Sequence, residues 1–355
     1  MDNKIPVLHM GDPNEKPPII LSMGESSGPA IPGPANVNVA EDFVKKKAAQ
    51  CEAAMAIINE SVKTPFNERA FGCLLGAFCG DSCGSYLEFY GGEQDHKLII
   101  PSEEVLDAAM SMPGGGYHAV AAGQVTDDSE LMQCLLWGYV ESNKDDEQPR
   151  KFDLNCVSER YGDWFNSDPF DIGMATTEAL KAVSYDGSTA ENAINAARYK
   201  NPNTKSNGSL MRCMPHAIFL ADMAKAEKYQ EVYDLVSIEA NFVHGHKLVH
   251  EAIFVYIVSL AHLLNSPDAA DRGQVAFDLA YKLSKSKYCT EVDTNYGEKL
   301  EWWLDEAKGW ADAAKEAKKN GESPPYLKKI KVPYRYYDKY NEEYEISGTT
   351  KIDIR

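Results

Sequence analysis

From Ala40 to Asn320 the chain is built of helix-length stretches whose apolar residues recur at helical spacing, and almost nothing in it alternates with period two. Such stretches cover 40–62, 67–89, 128–142, 172–183, 189–199, 208–224, 229–241, 246–264, 270–285 and 296–319. A backbone with so few strand signals must close its hydrogen bonds inside helices and bury its apolar stripes helix on helix. The pattern therefore predicts an all-α protein with long loops. Ser188-Thr189-Ala190-Glu191 reads as a capping box at one helix start, and Gly321, with Pro324-Pro325 behind it, closes the last helix.

Three regions follow. Residues 1–38, rich in Pro, Gly and Ser and without an amphipathic period, read as a flexible arm. Residues 39–320 form the helical domain, and 321–355 are an irregular aromatic and charged tail or insertion. With 44% hydrophobic residues in 355, the domain can bury a large core. A net charge of −18 argues against direct nucleic-acid binding, and an anionic ligand here needs a local cation. The eight cysteines show no CxxC pair and no zinc spacing, so they read as free, buried thiols of a reducing compartment. With no uncharged apolar run of about 18 residues and no signal-like N-terminus, the expectation is an intracellular, cytoplasmic protein without a membrane partner.

Thr126-Asp127-Asp128 stands between a glycine-rich loop, 112–124, and an apolar helix. Its hydroxyl and two carboxylates offer the oxygen donors that hard divalent cations such as Mg²⁺ take. The competing reading is a helix cap, because the same side chains satisfy orphan N–H groups at a helix start. Within 71–89, glycines at 72, 76, 80 and 84 fall along one helical face, which reads equally as close approach of another backbone or as the floor of a ligand site.

Four segments and a fifth behind them carry a resemblance: GAFCGDSCGSYLEF (76–89), MPGGGYHAVAAGQVTDDSEL (112–131), YGDWFNSDPFDIGMATTEAL (161–180), SNGSLMRCMPHAIFL (206–220) and VHGHKLVHEA (243–252). In order and composition they resemble the ADP-ribosylglycohydrolase family over roughly residues 66–310. The resemblance implies a compact orthogonal helical bundle with long active-site loops and a pair of Mg²⁺ ions. It places Thr126, Asp127 and Asp128 as metal ligands, Asp127 also as a catalytic group, and Glu88 as the carboxylate at the scissile ribose. It assigns substrate contacts to Asp81, to Gly115 and Gly116 over the distal ribose, to Ser206, Asn207, Gly208 and Ser209 at the diphosphate, and to His244. Each has a plainer reading: a solvated helix-end Glu88, a turn at Gly114–Gly116, an N-cap at Ser206 and Asn207, a structural His244. Leu210 to Asp222 is expected to be the helix whose dipole reinforces the 206–209 anion cradle. Arg212 reads preferentially as a structural partner of a buried carboxylate. Trp164, Phe165 and Phe170 read as core, with adenine stacking as the alternative.

The pattern is incomplete. The family's second metal motif, GG-D-x-D-T, is not found, and Val292-Asp293-Thr294-Asn295 lacks its glycines and second aspartate. Either the chain continues past Arg355 and regains the second ion's ligands, or that half is lost. The leading expectation is a Mg²⁺-dependent hydrolase removing ADP-ribose from modified proteins, with Arg, Ser and poly(ADP-ribose) linkages all open. The alternative is a catalytically inactive member serving as a structural or ADP-ribose-binding subunit, gripping protein partners through its arm and tail.

Overall fold

Pro65, whose fixed φ suits a first helical turn, and Thr64, whose hydroxyl accepts from Asn67 N at 3.1 Å, start helix α1, Pro65–Leu87. The computed structural model describes residues 52–53, 56–88, 92–94, 97–99, 103–144, 151–185, 187–266, 270–293, 297–322, 335–337 and 343–345. The 1–38 arm lies outside them, as do most of 321–355 and the first part of the 40–62 stretch, of which 56–61 is helical. The later helices are α2 Glu103–Met110, α3 Asp127–Ser142, α4 Leu154–Asn166, α5 Met174–Leu180, α6 Ala190–Lys200, α7 Met214–Phe219, α8 Ala221–Lys225, α9 Tyr229–Ala240, α10 Lys247–Asn265, α11 Arg272–Ser284 and α12 Leu300–Lys319. Strand pairing among the described residues is confined to two antiparallel pairs, Gly92–Gln94 with Lys97–Ile99 and Arg335–Tyr337 with Glu343–Glu345. The architecture is all-α, as the periodicity predicts.

The chain divides into two compact units, the first 1–131 with 162–172 and the second 132–161 with 173–355. In the first, α1 packs on α2, and the loop 111–126 runs on to the start of α3. Gly114, Gly115 and Gly116 all have positive φ. A Cβ on Gly116 would sit 2.5 Å from Ser85 O, and one on Gly114 would sit 2.6 Å from Val120 O. Only glycine passes there. The α1 glycines behave otherwise: a Cβ at Gly72, Gly76, Gly80 or Gly84 meets nothing within 4 Å, so no backbone approaches that face among the described residues.

In the second unit α10 is the central helix, packed against α7, α8, α9, α11 and α12. Leu248, Ile253, Phe254, Ile257, Val258 and Leu264 bury its apolar face. By length and composition α10 is apolar enough to cross a membrane, yet 61% of the relevant window is buried, as in a core helix. Fully buried Arg212 and Glu239 pair at 2.9 Å; Tyr161 Oη donates to Glu239 at 2.7 Å, and Tyr139 Oη meets His216 Nδ1 at 2.6 Å. Burial alone would push Glu239 up, but Arg212 and donors from His216 and Tyr161 bring it down to about 2. Arg212 is the structural partner its sequence context suggests.

Several sequence expectations need correction. The 208–224 stretch is not one helix: Asn207–Ser209 is a 3₁₀ turn, and α-helix resumes only at Met214. Pro215 suits the second start but not an interior, and Arg212 pulls the preceding turn inward by donating to Gly208 O. The capping box uses Thr189 and Asn192 rather than Ser188 and Glu191. Helices α2 and α4 lie in stretches not predicted helical; α4 alternates buried Val157, Tyr161 and Trp164 with charged neighbours that mask its period. All described cysteines are free, but Cys73, Cys79, Cys83 and Cys156 are only half-buried, since three of them ride the open face of α1.

Candidate active site

A helix start normally borrows a side chain from its own first turn, and Thr126 to Asp128 are suited to that use. In the structure the cap comes from 45 residues away. Asp81, on α1, accepts from Thr126 N at 2.9 Å, Ser129 N at 3.2 Å and Ser129 Oγ at 2.6 Å through Oδ2, and from Thr126 Oγ1 at 2.8 Å through Oδ1. Both oxygens of Asp81 are engaged by α3. Asp81 thus supplies side-chain acceptors to two backbone N–H groups at this helix start.

Around this helix start the first unit gathers further carboxylates. Glu88 follows the last turn of α1, and Asp171 lies in the segment after α4. His118, from the glycine-rich loop, stands between them, Nε2 being 3.4 Å from Glu88 Oε2 and 3.6 Å from Asp171 Oδ2. One ligand atom from each of the three lies within 4.8 Å of the others. Phe170 and Tyr117 meet the His118 ring edge-on, with centroids at 6.0 and 5.0 Å. Asp128 feels this crowding: burial, then Asp81 and Glu88, push it up to about 6, against a hydrogen bond from Asp127. Burial also raises Asp171, against the opposing pull of His118. Trp164 is buried and donates Nε1–H to Glu130 Oε2 at 2.6 Å, so it belongs to the packing behind the site. Glu88, His118 and Asp171 are a partly buried set of donors that could hold a metal ion. His118 is the member that sequence reasoning missed; its place in the loop just before Thr126 was the available signal.

The second unit holds the remaining candidates. His244 is fully buried, with Ser206 Oγ 2.9 Å from Nε2 and Ser209 Oγ 2.7 Å from Nδ1. Burial, and then Arg212 and His250, lower it to about 3, so the imidazole is neutral. It shapes the 206–209 turn from beneath. Gly208 could not carry a Cβ without crowding Thr176 Oγ1 at 3.1 Å. Because a 3₁₀ turn follows Ser206, no long helix points its dipole at this loop. Ser206 and Asn207 border an open pocket of about 430 Å³ lined also by Lys205, Leu248, Val249 and Leu300. Lys205 Nζ pairs with buried Asp293 Oδ1 at 2.9 Å, so the aspartate of Val292–Asp293 is committed to a lysine.

Structure and site together define a class of all-α proteins with a carboxylate-rich, cation-suited helix start. The family model for ADP-ribosylglycohydrolase matches residues 62–336, and the chain belongs to that family. It is 27% identical over 237 residues to the putative ADP-ribosyl glycohydrolase L543 of Acanthamoeba polyphaga mimivirus, covering 64% of this chain and 66% of the relative. It is 31% identical over 172 residues to the ADP-ribosylarginine hydrolase Tri1 of Pseudomonas putida (strain GB-1), covering 46% and 40%. It is 26% identical over 200 residues to the ADP-ribosyl-[dinitrogen reductase] glycohydrolase of Rhodospirillum rubrum, covering 56% and 58%. The chain thus spans 40–66% of the length of these relatives.

Proposed function

We propose that this chain is a Mg²⁺-assisted hydrolase that releases ADP-ribose from modified proteins, with ADP-ribosylated arginine as its substrate. The observation that carries this reading is the meeting of Glu88 and Asp171 at His118, with Asp128 near enough to both carboxylates to be raised by them, beside a helix start whose cap is supplied by Asp81. Thr126, Asp127 and Asp128 would hold the cation. Bound Mg²⁺ supplies positive charge that orients ribose oxygens and lowers the pKa of water. Cleavage of a glycosidic bond passes through an oxocarbenium-like state, which a carboxylate at the anomeric carbon stabilises; Glu88 takes that role. His118 fixes the orientation of Glu88 and Asp171; Asp127 accepts the proton of the attacking water as the C–N bond breaks, and the arginine leaves with that electron pair as a guanidine that then takes up a proton. Arginine linkage is supported by the acidic excess of the site, which suits a guanidinium, and by the Tri1 relative's activity on ADP-ribosylarginine.

The test is release of ADP-ribose from an arginine-modified peptide, a serine-modified peptide and poly(ADP-ribose), each in Mg²⁺ and in EDTA. Release from the arginine peptide, lost in EDTA and lowered at least about 100-fold in Glu88→Gln, is expected. ADP-ribose binding without release from any substrate would assign the chain to an ADP-ribose-reading role instead. Neither binding nor release would end both readings.

A further inference from the structure

We propose that Asp81 is a positioning residue for the cation-binding motif: it locks the first turn of α3 in the rotation that presents Asp127 and Asp128 together. This rests on the metal reading above. The four hydrogen bonds that Asp81 accepts go only to Thr126 and Ser129, the two residues that bracket the aspartate pair. A helix turn fixed at both flanks has no freedom to rotate between them, so the directions of the two enclosed carboxylates are set before any ligand arrives. The anchor also acts on Thr126 itself, whose hydroxyl proton is given to Asp81, which leaves the oxygen lone pairs as the only ligating capacity of that side chain. The shortest of the four bonds, 2.6 Å from Ser129 Oγ, involves a residue that the cation motif does not contain. With both oxygens in use on α3, Asp81 serves the site through Thr126 and Ser129, which differs from the substrate contact that family resemblance implies.

The experiment is a double-mutant cycle on the full chain, with Mg²⁺ affinity measured by calorimetry and checked by Mn²⁺ electron paramagnetic resonance. Asp81→Asn is expected to weaken Mg²⁺ at least about tenfold, as loss of an outer partner of metal ligands does. Ser129→Ala, which removes one hydroxyl and leaves the fold intact, is expected to weaken it a few-fold. The two effects should be clearly non-additive, because both act through the same contact. Additive effects, or an affinity unchanged in both variants while the unaltered chain binds Mg²⁺, overturn the positioning role. Absence of Mg²⁺ binding by the unaltered chain overturns the metal reading, and this role with it. Circular dichroism of each variant separates a lost fold from lost positioning, and Ser129→Ala still decides the matter if Asp81→Asn does not fold.

Discussion

Asp128 is the residue whose environment predicts the most. An aspartate titrating near 6 when folded and near 3.8 when unfolded holds its proton more tightly in the native chain. The stability so gained is complete below the unfolded value and is lost as pH rises through 6. A cation at the same carboxylate reverses that penalty, and binding it displaces the proton. Metal-free chain is therefore expected to melt at a lower temperature at pH 7.5 than at pH 5, relative to an Asp128→Asn control, and added Mg²⁺ should raise the pH 7.5 value. Thermal unfolding with and without Mg²⁺ at the two pH values checks this; a melting difference that Asp128→Asn leaves untouched rules it out. Reading at this scale from sequence was uneven. Asp127, Asp128 and Glu88 stand out from the chain because they are adjacent to glycine-rich motifs, whereas His118 joins them only because the loop with three left-handed glycines turns back onto α1.

At the scale of elements, two sets of glycines that look alike in the sequence do opposite things. Those of α1 meet nothing among the described residues, so there they cost helix propensity with no packing return; those of the 114–116 loop all have positive φ, and Gly114 and Gly116 also lie too close to backbone for a Cβ. Gly76→Ala is expected to stabilise the chain by roughly 0.5–1 kcal/mol. Gly116→Ala should destabilise it by about 1–3 kcal/mol and displace the loop that carries His118. Urea unfolding of the two variants, compared with the unaltered chain, must show opposite signs; two destabilisations would mean the α1 face is covered. The same lesson applies to 206–213. Apolar periodicity predicted one helix there, yet Arg212 draws the backbone into a 3₁₀ turn by donating to Gly208 O, a contact set by where Glu239 and Tyr161 hold the guanidinium.

For the molecule as a whole, the charge of −18 contrasts with a second unit organised about a fully buried cation. Arg212 has Glu239 and Tyr161 as partners, and removing it would strand a carboxylate without solvent. Arg212→Met is expected to cost about 3–5 kcal/mol, and Arg212→Met with Glu239→Leu distinctly less, since the double variant leaves no unpaired charge. Equilibrium denaturation of the three chains tests this; equal losses in single and double variants would contradict it. Acting alone, the sequence determined the all-α class and the family, because helical period and contiguous motifs are local properties that survive without coordinates. Only the tertiary structure decided that Asp81 caps α3, that His118 stands between Glu88 and Asp171, and that His244 is spent on Ser206 and Ser209. Those contacts join segments tens of residues apart, and their distances depend on how helices pack, which no local pattern encodes.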